Sequence, residues 1–330
     1  GFDPYVGNPT RAAAKDTDLS ALKAEGAGFI VLGGYEDGQT YVPVFDGTNE
    51  TGSHITWNKS SWEYSPINYW LEGKTYKFVA YAPAKLQEGD LFDIDYAGNK
   101  LKMKDGGTFT ADGETDLVVA EGKPQGYPVA AEPVQMETVG FKFYHALSKV
   151  KFTFINGWRN AVTLKITNIK LSNVKNTGSL TTSGTMAQGS DKIQLSAWSG
   201  QTGTADYEDK ADGMNTDEYE ASYEFENFLL PTVLDDSQMK LTFTVQVTNS
   251  QGTGPDLGAG AGNSVVKEVV IPKDVVTEWM PGYAYNYKLT ISGSTFGLKP
   301  IQFDDIDVDS EWGNGGEDDM DEGIEVVPGA

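Results

Sequence analysis

The chain has 330 residues, a formal net charge of −23 and no cysteine. The acidic surplus leaves no basic stripe to displace counterions from nucleic acid and disfavours an anionic membrane surface. Disulfides, thiolate metal sites and cysteine nucleophiles are excluded, and no apolar run reaches the roughly 20 residues of a membrane-spanning helix. Aromatic residues at 12%, with frequent Thr, Val and Tyr, favour strands. The length exceeds what one core usually sustains and predicts two domains.

The opening residues, GFDPYVG, read as a short strand with Phe2, Pro4 and Val6 on one side. Its proline suits an edge and not a central ladder position. Arg11 follows in NPTRAAAK, one of two arginines against 23 lysines. A solvated charge near a chain end is one reading, and a protease site between Arg11 and Ala12 is the other. A chain that begins Gly-Phe-Asp is expected to be a trimmed form, which leaves export open. Helical signal is confined to DTDLSALKAEG, where Asp16 or Asp18 caps a short turn carrying Leu19 and Leu22, closed by Gly26.

The run TWNKSSWEYSPINYWLEGKTYKFVAYAP is dense in rings. Tyr76 and Phe78 share one face of an alternating strand and read as core. Trp57, Trp62 and Trp70 read either as core or as a flat platform on which a sugar stacks. The Pro- and Ala-rich stretch 125–140 predicts a boundary, with a first domain over 1–135 and a second over 136–330. Beyond it, period-two alternation is strong. Leu241, Phe243, Val245 and Val247 share a face, as do Tyr219, Ala221, Tyr223 and Phe225, and Tyr283, Tyr285, Tyr287, Leu289 and Ile291. Such strands, separated by Gly/Asn/Asp turns, imply antiparallel sheets in a β-sandwich. The stretch QGTGPDLGAGAGNS reads as a hairpin loop, because it lacks the strand–loop–helix context and the Lys of a phosphate loop.

With only His54 and His145, zinc and triad arrangements are nearly out of reach. His145 reads as structural. The acidic runs DDIDVDSEW and GEDDMDEG lack the spacing of an EF-hand and read as solvated charge. No catalytic residue, metal or cofactor is expected, and the chain does not read as an enzyme. In the tail, Ile301 and Phe303 are odd-numbered whereas Ile306 and Val308 are even, so the phase slips at Asp304–Asp305. That predicts two short strands or one with a bulge. After Trp312 a Gly/Asp/Glu linker leads to GIEVVP, with Ile324 and Val326 on one side. Such a tail buries little on its own domain and is suited to add a strand to another copy's sheet. A cut after Arg11 would release GFDPYVGNPTR and leave a groove for it.

These features together resemble the fimbrillin family, the pilins and associated surface lipoproteins of the type V pili of Bacteroidales. The resemblance covers most of the chain. It rests on Thr10–Ala12 behind a short strand, YSPINYWLEGKTYKFVAYAP, DLVVAEG, FYHALSKVKFTF, FLLP, WMPGYAYNYKLTIS and IQFDDIDVDSEW. It implies an all-β chain of two β-sandwich domains of transthyretin-like, Greek-key type with few short helices. It implies export as a lipoprotein, with a lipidated cysteine upstream of residue 1, to the outer membrane, cell surface and fimbrium. An Arg-specific protease would cut at Arg11–Ala12 and release the first strand. Polymerisation would follow by insertion of a donor strand from residues 299–330 into other copies or other pilus subunits. Ile301, Phe303, Ile306, Val308, Ile324 and Val326 are the donor candidates. An adhesive fibre would also meet a host or bacterial surface ligand, and nucleic acid is not an expected partner. The rival reading is a surface glycan-binding lipoprotein of two-sandwich type, with Trp57, Trp62 or Trp70 exposed on one face and no use for Arg11.

Overall fold

The computed structural model describes residues 2–6, 16–130, 136–158, 162–188, 192–234, 239–249, 264–292, 303–309 and 312. Among them lie 25 strands, four short 3-10 turns and one α-helix, Leu19–Leu22, so the chain is all-β. Asp18 caps that helix by accepting the Ala21 amide at 2.7 Å.

A nine-stranded sheet organises the first half. Its main path runs Phe2–Val6, Val139–His145, Val118–Glu121, Thr75–Ala82, Phe29–Asp37, His54–Trp57 and Trp62–Glu63. Phe29–Asp37 forks: its start pairs with His54–Trp57 and its remainder with Thr40–Asp46. A bulge at Gly33–Gly34 bends the second branch. A Cβ on Gly34 would come within 2.0 Å of the Val42 carbonyl oxygen, so this approach needs glycine. The inner strands are covered on both faces, which is why FIVL, FVAYA and LVVA are unbroken apolar runs. Phe29, Phe78, Phe141 and Phe143 pack on one face. On the other, Ile30, Val79, Tyr81 and Val119 meet Phe92, Leu101, Leu180 and Trp198. Those last residues come from the hairpin Phe92–Asp95/Lys100–Met103 and from a three-stranded sheet of Phe109–Thr110, Thr177–Leu180 and Trp198–Thr202. The two ends of the large sheet approach each other, Phe2–Val6 nearing Trp62–Glu63, so it curls around the Phe29 core.

The chain leaves this sheet at His145 and enters the second body at Ser148. There a four-stranded sheet (Ser222–Leu229, Ser148–Asn156, Ala284–Ile291, Asp305–Asp309) faces a five-stranded one built on Val162–Val174 and Lys240–Asn249. Between them lie Val150, Phe152, Phe154, Leu164, Ile166, Leu241, Phe243, Val245, Val247, Tyr285, Tyr287, Leu289 and Ile291, with the residues between them turned outward. Each such side chain, fully buried, contributes about 1.5–3 kcal/mol. The strands flanking the Gly-rich stretch, Lys240–Asn249 and Ser264–Val270, pair antiparallel as a hairpin requires, and residues 250–263 between them lie outside the described residues.

Candidate assembly site at the first strand

Among the described residues Phe2–Val6 is an edge strand that pairs on one side only, parallel to Val139–His145. Phe2, Pro4 and Val6 are registered to Val139, Phe141 and Phe143. Those three partners are buried, at 0%, 1% and 1% exposure. Their neighbours are aromatic: Phe29 meets Phe141 at 6.0 Å, Phe143 at 5.4 Å and Trp62 at 5.3 Å between ring centroids, all edge to face. The seat is therefore an apolar, strand-shaped site with a proline-bearing strand in it. Its buried lining on the partner strand, Val139, Phe141 and Phe143, is apolar. Arg11 and Ala12 lie outside the described residues.

The described chain resumes at Asp16, where the first and second bodies meet. The Asp16 side chain, with 0% exposure, is ion-paired to Lys149 at 2.7 Å. Lys149 also reaches Glu226 at 3.3 Å. Burial pushes the Glu226 carboxyl above the usual carboxylate range, while Lys149 pulls it down. Thr17 donates its amide to Asp116 Oδ2 at 2.7 Å and its hydroxyl to the Asp116 carbonyl oxygen at 2.9 Å. Asp116 Oδ1 in turn lies 2.9 Å from His145 Nδ1, which gives this histidine a structural partner. Trp312 closes the cluster. Its indole N–H donates to Asp16 Oδ2 at 3.4 Å, and its ring stacks on His145 at 3.9 Å and on Phe228 at 5.9 Å. Sequence reasoning did not identify this cluster. The one available signal was a lone tryptophan set among acidic residues.

The other expected site residues are scattered. Ile306 and Val308 lie on Asp305–Asp309, registered to Tyr287 and Tyr285 of this chain's own sheet. Ile306 packs on the second core and Val308 is 49% exposed. Phe303 packs there too, 5.1 Å from Tyr287 and 6.0 Å from Phe152. The phase slip thus falls just before the strand, with Phe303 and Ile306 both on the core. Ile301, Ile324 and Val326 lie outside the described residues. Trp62 is buried, and Trp57 and Trp70 are half-buried against the Phe29 core. Trp57 tilts on Trp62 at 5.2 Å and carries the Lys23 ammonium 4.4 Å from its ring centroid. Trp70 meets Tyr76 edge-on at 4.4 Å. Among the described residues no group of three or more His, Asp and Glu is placed to hold a metal ion. The acids of Asp305–Asp309 instead face Lys288, which is 2.6 Å from Asp307.

The chain is similar in structure to a candidate cell adhesion protein from Bacteroides ovatus, with 15% identity, a TM-score of 0.44, and coverage of 93% of this chain and 95% of that one. A candidate cell adhesion protein from Bacteroides uniformis shares 17% identity at a TM-score of 0.42, over 86% of this chain and 91% of the other. The fimbrial anchor protein Mfa2 from Porphyromonas gingivalis shares 11% identity at a TM-score of 0.37, over 94% and 96%. No curated protein matches the chain. With TM-scores below 0.5, these likenesses do not carry the assignment; the sequence match does. The fimbrillin-like family matches residues 10–303, most of the 330. The chain belongs to the fimbrillin-like family, a family of structural and adhesive proteins rather than enzymes.

Proposed function

We propose that the protein is a fimbrial subunit that assembles by exchanging strands. In the unassembled chain Phe2–Val6 fills the seat along Val139–His145. A cut by an Arg-specific protease between Arg11 and Ala12 releases that strand, and a C-terminal donor strand of another subunit takes its place. In this reading residues 1–135, completed by Val139–His145, carry the acceptor seat, and the remainder of 136–330 carries the donor end. The subunit is exported as a lipoprotein and works at the cell surface.

One observation carries the reading: a five-residue strand, paired along one edge only among the described residues, lies beside Val139–His145, whose Phe141 and Phe143 belong to the aromatic Phe29 core. Five residue pairs are few enough to release once their covalent link is cut. Replacing them gives back main-chain hydrogen bonds of ~0.5–1.5 kcal/mol net each and apolar burial of ~1.5–3 kcal/mol per side chain. Against this stands an ordering cost of ~1–2 kcal/mol per donor residue, so the seat must be largely preformed. Val139, Phe141 and Phe143 belong to a strand whose end, Tyr144 and His145, pairs on its other side with Val119 and Val118, and all three are buried in the first core.

A brief digest with an Arg-specific protease, N-terminal sequencing and an unboiled gel test the proposal. A new terminus at Ala12 with a detergent-resistant ladder is the expected result. A chain that is cut at Arg11 and stays a monomer with unchanged stability would sink strand exchange.

A further inference from the structure

The stretch just behind Arg11 and the root of the C-terminal tail meet in one buried cluster, and each depends on the other for partners. Asp16 is a carboxylate without solvent access, and such a group is costly unless paired and hydrogen-bonded. Its partners include the Lys149 ammonium and the Trp312 indole N–H. Trp312 is 4% exposed although its neighbours in sequence are Ser, Glu and Gly. No local apolar run buries it; it is held by His145, Phe228 and the Lys149 ammonium, 5.5 Å from its ring centroid. Withdrawing the ring admits water to the Asp16–Lys149 pair and weakens it through the rise in local dielectric. Withdrawing Asp16 leaves the indole N–H without its acceptor. A coupling of this kind acts equally in both directions.

We propose that Trp312 is a clasp between the two ends of the chain: seated on Asp16, His145 and Lys149, it holds the segment after the cleavage site and the root of the tail together, so that freeing either loosens the other. The coupling stands on the cluster itself. Its use in assembly rests on the strand-exchange reading: a tail drawn into another subunit would lift Trp312 and loosen the chain beside Arg11, and a cut at Arg11 would loosen the tail.

Amide hydrogen exchange on the full chain tests this, comparing Trp312→Ala with the unaltered protein. The reporters are the Thr17 amide, bonded to Asp116, and the Ala21, Leu22 and Lys23 amides of the following helix. Phe303→Ala is the control, since Phe303 packs on Phe152 and Tyr287 in the second core and not on the cluster. Trp312→Ala is expected to speed exchange at these amides by about 5- to 150-fold and to speed cutting at Arg11, while Phe303→Ala leaves both unchanged. In the reciprocal experiment, Asp16→Asn speeds exchange of the Trp312 indole N–H, which loses its carboxylate acceptor. Unchanged exchange near Asp16 in Trp312→Ala overturns the clasp. So does a rise spread evenly over both cores in both variants, which is the mark of ordinary packing. If exchange responds but Arg11 is never cut, the clasp stands and the cleavage reading falls.

Discussion

Phe29 meets Phe143 edge to face at 5.4 Å, and Phe143 is the residue to which Val6 is registered on the first strand. The ring is therefore shared between the permanent core and the seat of the strand proposed to leave. Phe143→Ala removes a fully buried ring from a curled sheet that has little freedom to collapse, and is expected to cost about 3–5 kcal/mol in urea unfolding. A cost near that of a surface substitution would mean that the seat is already loose.

Glu121 ties the large sheet to the segment beyond Leu180. Its carboxylate, 1% exposed, accepts the Gly184 amide at 2.7 Å, the Met186 amide at 2.8 Å and the Thr182 hydroxyl. Glu121→Gln keeps the shape but replaces an acceptor with an NH₂ that faces donors. Hydrogen bonds to a charged group are worth about 1.5–3 kcal/mol each, so a loss of roughly that size is expected, read as a lower urea midpoint. A neutral substitution would show that the three donors find water instead.

Burial pushes the phenols of Tyr81, Tyr207 and Tyr287 up, and that of Tyr285 up to about 12. In the unfolded chain a tyrosine ionises near pH ~10. Above that pH the folded chain holds more protons than the unfolded one, so stability falls as pH rises. The contribution is complete below the unfolded value and is lost progressively above it. Urea midpoints are expected to hold through neutral pH and to drop on the alkaline side. Tyr81→Phe should flatten part of that drop, since Tyr81 lies against Phe92 at 4.5 Å and its shift comes chiefly from burial. An identical alkaline slope in the variant would contradict the assignment.

The second body was legible because its signal is local. Leu241 to Val247 and Tyr285 to Ile291 alternate, and each set lies on one core face. The first sheet is harder to read. Covered on both faces, Phe29–Leu32 and Phe78–Ala82 show no alternation, so the residues name a buried strand without saying which face meets which layer. A short strand at Phe2–Val6 was legible from its residues. Its parallel pairing with Val139–His145 was not, because a parallel partner leaves no turn to mark it. The contact between Asp16 and Trp312 spans 296 positions and follows no spacing rule. Arg11 was conspicuous only through its rarity, which marks a residue without saying what surrounds it.

The last described strand is packed toward one end and open toward the other, on the same face. Ile306 packs on the second core beside Tyr287, while Val308, two residues on, is 49% exposed at the sheet edge. Ile306→Ser is expected to destabilise the protein by about 1 kcal/mol, a part of the roughly 1.5–3 kcal/mol of a fully buried aliphatic side chain, because Ile306 is partly buried. Val308→Ser should fall within about 0.5 kcal/mol, as surface changes do. Paired urea titrations read the difference directly. If it is as expected, Ile306 reaches another subunit only by giving up its place at home. Equal small effects at both positions would mean that Asp305–Asp309 is held by its Lys288 ion pairs and backbone alone, and that this strand can be donated without giving up core packing.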